Sequence, residues 1–362
     1  MHLLKQKKKA DAGLLYLVLV LSLLGLVAIA DASAPLALSV FADKFYFLKQ
    51  QAVWVIVGLV LMLVVSQINY RVWEKLATPL FIFSLVFLLV VLIPNFGFKA
   101  LGARRWLDLG PLSFQPSEVV KLTLAIFLAK MATKKKRLIS YLLFLGLCVG
   151  LIMLQPDLGT ALIVTAIAFV QIFISGINLF KFMGLLLAAG AISLLLIIVS
   201  PYRRDRLQTF LQITSDPLGK SYHIRQVLLA LGSGGLSGVG LGQSRQKYLF
   251  LPEAATDSIF AIIAEEVGFL GSLLLIALLG LLLVKIFRLA GSAPDEFSQI
   301  LAGGILTWIA GQILLNLGSM TALVPLTGIP LPFFSYGGTS LVMLLISCGI
   351  LLNISKYAVK KK

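Results

Sequence analysis

Residues 13–30 read GLLYLVLVLSLLGLVAIA, a run without any charged side chain. As a helix, such a run can cross a hydrocarbon core about 30 Å thick. Backbone polar groups in lipid must be hydrogen-bonded within the spanning segment, and the chain lacks the alternating pattern of barrel strands. The stretch therefore predicts a transmembrane helix.

Comparable apolar runs recur along the whole chain of 362 residues. We expect an all-α integral membrane fold, a single polytopic domain over residues 1–362, in which a large extracytoplasmic loop separates helices 7 and 8. Neither an internal repeat nor a separate soluble domain is visible in the sequence. The ten predicted transmembrane helices cover residues 13–30, 50–66, 78–94, 117–132, 138–155, 158–175, 181–199, 258–284, 298–320 and 335–356.

The composition fits a membrane location. Hydrophobic residues make up 59% of the chain and charged residues 13%, whereas soluble domains carry about 25% charge. We attribute the net charge of +16 to basic residues at the membrane ends of helices rather than to nucleic-acid binding. Cys148 and Cys348 lie inside apolar spans, where we expect packing rather than a disulfide or a metal site.

Basic residues set the predicted orientation. Lys134, Lys135, Lys136 and Arg137 crowd into a very short loop, and such clusters are typical of the cytoplasmic side. Both termini are therefore predicted to be cytoplasmic, which places segment 200–257 on the outer side of the membrane.

Segment 200–257 keeps many cations on the outer face. Its parts 202–213 and 223–231 suit short helices at the membrane interface, and six glycines crowd into residues 232–242. The cations need an anionic partner, either lipid headgroups or a phosphorylated substrate. The glycines form either flexible turns or a backbone that approaches a phosphate closely. The sequence leaves both choices open.

Four predicted helices that enter the membrane from outside share a feature at their start. A proline is followed by an acidic or hydroxyl residue, as helix starts prefer. Capping explains this pattern, but four positive helix ends on one face would also suit a diphosphate, together with Arg105 and Lys121. The four starts are Gln115-Pro116-Ser117-Glu118, Gln155-Pro156-Asp157, the run from Leu251-Pro252-Glu253 to Asp257, and Leu331-Pro332 with Ser335.

Acidic residues are scarce, 15 in all, so each one is informative. Asp257 stands at the predicted membrane edge, close enough to water to stay ionised as a base. Its spacing alone does not separate a chemical role from capping. Glu253 lies four residues earlier, a spacing that on a helix would put both acids on one face. We expect Glu265 near Asp257, Glu266 bonded within the bundle, and His223 to be an ordinary interfacial polar residue.

Two further pairs have alternative interpretations. Glu118 and Lys121, three residues apart, form either an internal ion pair or a pair that positions a lysine for phosphate. Trp106, beside Arg105, is either an interface anchor or a platform that stacks on a sugar or prenyl chain.

Taken in order, these motifs resemble the SEDS family, the shape, elongation, division and sporulation proteins. The resemblance covers nearly the whole chain. One departure is Ser258, where the family commonly has phenylalanine. The motifs are Gly102-Ala103-Arg104-Arg105-Trp106-Leu107, Gln115-Pro116-Ser117-Glu118 with Lys121, Gln155-Pro156-Asp157-Leu158-Gly159-Thr160, the glycine-rich stretch 232–242, Leu251-Pro252-Glu253-Ala254-Ala255-Thr256-Asp257 with Glu265-Glu266, and Pro330-Leu331-Pro332 with Ser335-Tyr336-Gly337-Gly338.

The resemblance implies a peptidoglycan glycosyltransferase that polymerises lipid II into glycan strands on the outer face of the bacterial cytoplasmic membrane. Asp257 corresponds to the family's essential acidic residue and would be the catalytic base of an inverting transfer. Arg105 and Lys121 would stabilise the departing undecaprenyl diphosphate, with a divalent cation, Mg or Mn, as a further candidate. No residue is assigned as a metal ligand. The other substrate-binding residues that the motifs imply are Trp106, Gln115, Glu118, Lys247, Gly235, Gly240 and Ser335.

The resemblance also implies partners. These are a class B penicillin-binding protein that supplies cross-linking, lipid II, the nascent glycan strand, membrane lipid and other division or elongation proteins. No nucleic acid is expected. Gln246-Lys247 before the Leu-Pro-Glu-Ala motif resembles the division-type FtsW branch, or the sporulation branch, more than the RodA branch. A lipid II flippase and a non-enzymatic division scaffold are the alternative functions, and glycan synthesis by the purified protein distinguishes them.

Overall fold

A computed structural model describes residues 9–94, 96–100, 103–108, 113–135, 137–211 and 221–359. These residues form mostly α-helices, with one small antiparallel sheet. In chain order the elements are α1 Ala12–Ala32, α2 Ala34–Phe41, α3 Tyr46–Gln67, α4 Arg71–Val90, β1 Gly97–Ala100, β2 Ala103–Asp108, β3 Ser113–Phe114, α5 Pro116–Thr133, α6 Leu138–Met153, α7 Leu158–Ile174, α8 Leu179–Val199, α9 Pro201–Leu211, α10 Tyr222–Ser233, α11 Ile259–Gly291, α12 Glu296–Met320 and α13 Gly338–Ser355.

Each of the ten predicted segments overlaps one helix of the structure. Seven of the described helices are long and apolar enough to cross a membrane, so the chain is a multi-pass membrane protein. Helices α6 and α7 are apolar but shorter. Helix α5 carries Glu118, Lys121 and Lys130 along its 18 residues. The seven long apolar helices are α1, α3, α4, α8, α11, α12 and α13.

The all-α prediction is wrong between α4 and α5. There β1 pairs with β2 and β2 with β3, both antiparallel, and Phe98 lies opposite Trp106. These strands have two to six residues, so their alternation is too short to be recognised in the sequence. Gly102, part of the predicted loop motif, lies outside the described residues, as do residues 212–220 of the predicted outer segment.

Helix α11 is broken, where the sequence predicts a continuous helix. Gly268 has φ 68° and ψ −167°, far from helical values. A Cβ atom on Gly268 would lie 2.2 Å from the backbone nitrogen of Gly238, so glycine is required for this contact. The break separates a short first part, residues 259–267, from the long apolar remainder of α11.

The interior of the bundle is formed by α5, α7, α12 and α13. Helix α12 packs against α5, α7 and α11, and α13 packs along α3. Most side chains of α5 are buried, including the charged Glu118 and Lys121. Helix α8, in contrast, has no buried residue, and its apolar side chains therefore face the surroundings of the chain.

Two predicted interfacial helices are confirmed as helices. Residues 202–213 overlap α9, and residues 223–231 lie within α10. Helix α10 buries Ile224, Val227 and Ala230 on one side, and that side packs against α11. Helix α10, in the predicted outer segment, therefore packs against α11.

Candidate active site

Asp257 lies in a turn whose backbone is held at three consecutive carbonyls. The backbone N–H of Tyr336 donates to Ala255 O at 2.8 Å, and the hydroxyl of Ser335 donates to Thr256 O at 2.5 Å. The side-chain amide of Asn316 donates to Asp257 O at 2.7 Å. Because α12 and the loop before α13 supply these donors, the turn is fixed from outside its own sequence.

The Asp257 carboxylate is half-buried and lies beside a second acid. The hydroxyl of Thr256 lies 2.7 Å from Glu253 Oε2 and 3.2 Å from Asp257 Oδ1, so one hydroxyl links the two carboxylates. A Cβ atom on Gly328 would lie 3.7 Å from Asp257 Oδ2. The loop between α12 and α13 therefore closes against this carboxylate.

The environment raises the pKa of Asp257 to about 6, first through burial and then through the negative charge of Glu253. The positive charge of Arg206 acts in the opposite direction and lowers this pKa. A carboxylate with such a pKa is ionised at neutral pH and can still accept a proton, as a general base requires.

Glu253 and Asp257 both lie before the helix, in agreement with the predicted start at residue 258. A helix through both acids would place them on one face, but α11 begins at Ile259 and Glu253 adopts φ 52°. Its carbonyl accepts the backbone N–H groups of Thr256 and Ser258 at 3.1 Å. The turn itself, not a helix, brings the two carboxylates together.

Arg206 is a cation of the site that sequence reasoning did not single out. It lies on α9, and its Nη1 donates to Leu326 O at 2.9 Å. That carbonyl belongs to the loop that also carries Gly328, beside Asp257. The only sequence signal was its position among several arginines of the outer segment, which does not distinguish it from its neighbours.

The starts of α5, α7, α11 and α13 gather at one end of the bundle. The predicted proline start is found at α5 and α7, but is wrong for α11 and α13, because Pro252 and Pro332 lie in turns well before Ile259 and Gly338. The backbone N–H of Gln115 donates to Thr339 Oγ1 at 3.3 Å, which joins the starts of α5 and α13. Arg105 on β2 donates to Gln155 O at 3.0 Å and to Pro156 O at 2.5 Å, beside the start of α7. The α12–α13 loop reaches this start too, because a Cβ on Gly159 would lie 2.7 Å from Ile329.

Capping is visible at one of these starts. Asp157 accepts the backbone N–H of Thr160 at 3.0 Å and its hydroxyl at 2.8 Å. The carboxylate of Asp157 is therefore engaged with its own helix, as the capping interpretation expects. Gln115 precedes α5 without a side-chain capping bond.

Glu118 and Lys121 form a buried ion pair on α5. Lys121 Nζ lies 2.7 Å from Glu118 Oε1, and 5.1 Å from the ring centre of Trp308 on α12. Glu118 Oε2 is buried and has no hydrogen-bond partner among the residues that the structure describes. The internal ion pair is thus confirmed. A contact of Lys121 with phosphate stays a prediction, and the free carboxylate oxygen shows that the pair has unused hydrogen-bonding capacity.

Lys247 is held in an ionic network away from the Asp257 turn. Its Nζ lies 2.7 Å from Asp31 Oδ1 on α1 and 2.8 Å from Glu266 Oε1 on α11. Glu265 accepts the hydroxyl of Ser244 and two backbone N–H groups of the same loop. Glu266 is bonded within the bundle, as predicted. The network joins α1, the outer segment and the broken helix.

The glycine-rich stretch approaches a helix backbone closely. A Cβ on Gly238 would lie 2.0 Å from Glu266 O, and Gly240 N donates to Glu266 O at 3.1 Å. The carbonyl of Gly235 accepts the N–H of Phe269 at 2.9 Å. The close approach that glycine permits is therefore made to α11, at its break. Substrate contacts of Gly235 and Gly240 stay predictions.

The remaining predicted substrate residues have the following positions. Trp106 lies on β2, half-buried. The hydroxyl of Ser335 is committed to backbone groups, since it donates to Thr256 O and accepts from Leu331 N at 2.8 Å. In the described part of the chain no group of three or more His, Cys, Asp or Glu side chains could hold a metal ion. A divalent cation shared with a diphosphate stays a prediction.

Comparison with known proteins agrees with this architecture. Residues 12–360 match the family model for cell cycle proteins of the FtsW, RodA and SpoVE type. Stage V sporulation protein E of Bacillus subtilis is 40% identical over 98% of this chain and 99% of its own length. A probable peptidoglycan glycosyltransferase FtsW of Trichlorobacter lovleyi is 39% identical over 95% of this chain and 93% of its own.

Solved structures give the same result. A chain of a peptidoglycan synthase complex that coordinates polymerization and crosslinking superposes with a TM-score of 0.79 and 33% identity, over 97% of this chain and 99% of that one. The rod shape determining protein RodA of Thermus thermophilus gives a TM-score of 0.71 and 32% identity, over 97% and 98%. The chain belongs to the FtsW, RodA and SpoVE family, the SEDS proteins.

Proposed function

We propose that the protein is a peptidoglycan glycosyltransferase that polymerises lipid II, with Asp257 as its catalytic base. The observation that carries this proposal is the Asp257 carboxylate itself, half-buried, fixed through its backbone and ionised at neutral pH. The names of the relatives support it, since several are called probable peptidoglycan glycosyltransferases.

The proposed reaction is an inverting transfer. Asp257 takes the proton from a sugar hydroxyl of the acceptor, and that oxygen attacks the anomeric carbon of the donor. The new glycosidic bond forms as the bond between the anomeric carbon and the diphosphate oxygen breaks. The electron pair of that bond leaves with undecaprenyl diphosphate, and the proton remains on Asp257 until it passes to water.

Cations at the same end of the bundle would stabilise the departing diphosphate. Arg105 lies beside the start of α7 and uses only part of its five N–H donors on Gln155 O and Pro156 O. Arg206 lies near Asp257, and Lys121 is buried one turn inside α5. Trp106, Gln115 and Glu118 lie between Arg105 and Lys121 in the sequence and would contact the sugar or the phosphates. Fixed positive groups of this kind favour negative charge that develops in the transition state.

We propose ten transmembrane helices in the bacterial cytoplasmic membrane, with both termini inside and segment 200–257 outside. The distribution of lysine and arginine supports this orientation. Single-cysteine labelling tests it, because both native cysteines are buried. In spheroplasts, an impermeant maleimide should label Leu241→Cys, at a site 77% exposed, but label Lys134→Cys only after lysis. The reverse pattern would refute the orientation.

A class B penicillin-binding protein is the proposed partner. The similar chain from a synthase complex that couples polymerization to crosslinking supports this choice. Helix α8 has no buried residue, so its apolar surface supports the proposal as one that a partner's transmembrane helix could cover.

Polymerisation by purified protein tests the function. Wild-type protein and a cognate penicillin-binding protein, supplied with lipid II, should make glycan chains that a gel resolves. Asp257→Asn should make none, whereas Asp43→Asn, at an exposed aspartate paired with Lys49, should match wild type. Polymer made by Asp257→Asn would exclude the base role. Movement of lipid II across vesicles without polymer would favour a flippase instead.

A further inference from the structure

We propose that His223 is a positioning residue for the Asp257 base and that it acts through Ser258. This inference rests on the proposed glycosyltransferase function. It concerns a contact between the outer segment and the turn that carries the base, made by a residue for which the sequence alone indicates no special role.

The contact is a hydrogen bond between two side chains far apart in sequence. His223 Nε2 lies 2.7 Å from Ser258 Oγ. Ser258 is fully buried and is the N-cap residue of α11, yet its hydroxyl makes no capping bond to the helix. Serine at an N-cap normally uses its hydroxyl for the helix backbone. In this structure the Ser258 hydroxyl forms its hydrogen bond with His223 instead.

Side chains of α10 form hydrogen bonds with both ends of the Asp257 turn. The hydroxyl of Tyr222 donates to Phe250 O at 2.8 Å, and His223 contacts Ser258. The first turn of α10 therefore brackets residues 250–258. The helix cannot shift easily, because Ile224 and Val227 are buried in the same turn and the next.

Asp257 is thus held between two helices. Asn316 on α12 binds its backbone carbonyl, and His223 on α10 binds the next side chain. Rotation of the Asp257–Ser258 peptide would break one bond or the other. Burial lowers the pKa of His223, so the ring is neutral near pH 7 and keeps one donor and one acceptor nitrogen. A serine hydroxyl can match either nitrogen.

Loss of this bond should affect the chemical step more than substrate binding, because a base slightly out of place transfers protons poorly. We expect His223→Ala and Ser258→Ala each to lower kcat between about twofold and tenfold, the range of one hydrogen bond, with little change in KM for lipid II. His223→Gln, whose amide can occupy the Nε2 position, should recover part of the loss.

The double variant separates positioning from general destabilisation. If the two side chains act as one unit, His223→Ala with Ser258→Ala should lose no more kcat than the worse single variant. Gln226→Ala is the matched control, since Gln226 is another half-buried polar residue of α10, and it should keep the wild-type kcat. Ser258→Ala removes only one hydroxyl, so it remains usable if His223→Ala does not fold.

Two results would overturn the inference. One is unchanged kcat in both single variants, and the other is a double variant whose loss is the product of the two single losses. Either result leaves the proposed function intact if Asp257→Asn is inactive in the same assay. Failure of the wild-type protein to polymerise lipid II would instead overturn the proposed function itself.

Discussion

The side-chain amide of Asn316 donates two hydrogen bonds, one to Asp257 O at 2.7 Å and one to Ile329 O at 2.8 Å. One buried amide thereby joins α12, the base-carrying turn and the α12–α13 loop. Substitution Asn316→Asp keeps the shape but replaces the donor with a carboxylate that faces two carbonyl oxygens. We expect a drop in kcat of about tenfold or more, because the base loses its anchor.

The control for this substitution lies at the other end of the bundle. Asn353 is equally buried, donates to Ser66 O at 2.8 Å and accepts from Tyr70 N at 2.9 Å. Asn353→Asp should lower the melting temperature in detergent while the folded fraction keeps its kcat. Equal kcat losses in both variants would show that Asn316 acts through stability alone.

The pH dependence of polymerisation should report the charge of Asp257. Since burial and Glu253 raise the pKa of Asp257 to about 6, kcat should fall as the pH drops through about 6, where the base becomes protonated. Glu253→Gln removes a negative neighbour, which makes ionisation easier. The acidic limb of the pH–rate profile should therefore move to lower pH.

Arg206→Gln should move the same limb in the opposite direction. The positive charge of Arg206 lowers the pKa of Asp257, so its removal should make the base protonate at higher pH. Glu253→Gln and Arg206→Gln are therefore expected to shift the pKa of Asp257 in opposite directions. A limb that moves in the same direction for both variants, or stays in place for both, would contradict this electrostatic account.

The Lys247 network should contribute strongly to stability. Lys247→Met leaves Asp31 and Glu266 without their cation, and an unpaired buried charge is costly. We expect the free energy of unfolding to fall by about 3 kcal/mol. This value is at the low end of the range for breaking buried ion pairs, because the Asp31 side chain is 30% exposed. Thermal denaturation followed by fluorescence in detergent measures it.

An exposed ion pair provides the comparison. Lys49 lies 2.7 Å from Asp43, with its side chain 70% exposed. Exposed pairs contribute little because water screens them, so Lys49→Met should leave the melting temperature unchanged. A similar melting temperature for Lys247→Met would mean that the network at α1 and α11 is not a stabilising element.

Gly238 should tolerate no side chain. A Cβ there would lie 2.0 Å from Glu266 O, and the residue adopts φ 82°. Gly238→Ala should cost about 3 kcal/mol of stability, from backbone strain and overlap together. Gly232→Ala is the control, because among the described residues no heavy atom outside its own stretch of helix lies within 4 Å of its added Cβ. Equal stability of the two variants would disprove close docking of this stretch.

Local sequence patterns predicted the parts of the fold that local physics determines. Apolar runs located every long helix, and the amphipathic parts 202–213 and 223–231 located α9 and α10. Proline followed by an acid or hydroxyl located the starts of α5 and α7, but not those of α11 and α13. Each of these patterns is formed by residues close together in the chain, so it can be recognised from a single sequence.

Long-range contacts were not predictable in this way. Asn316 is 59 residues from Asp257, and Lys247 is 216 residues from Asp31. Nothing in an apolar helix indicates which of several similar helices it will pack against. The break at Gly268 was not predictable either, because the need for it arises from the contact between the glycine-rich stretch and α11, which is distant in sequence.

The distance in sequence between Asp31 and Lys247 has a consequence for biogenesis. The ribosome delivers Asp31 with the first helix, but its cation and Glu266 emerge only after most of the chain has been made. Until then Asp31 must remain hydrated at the rim of the bilayer, since a lone charge does not enter lipid. Helix α1 is therefore inserted early but fixed in its final place late, when Lys247 and Glu266 arrive.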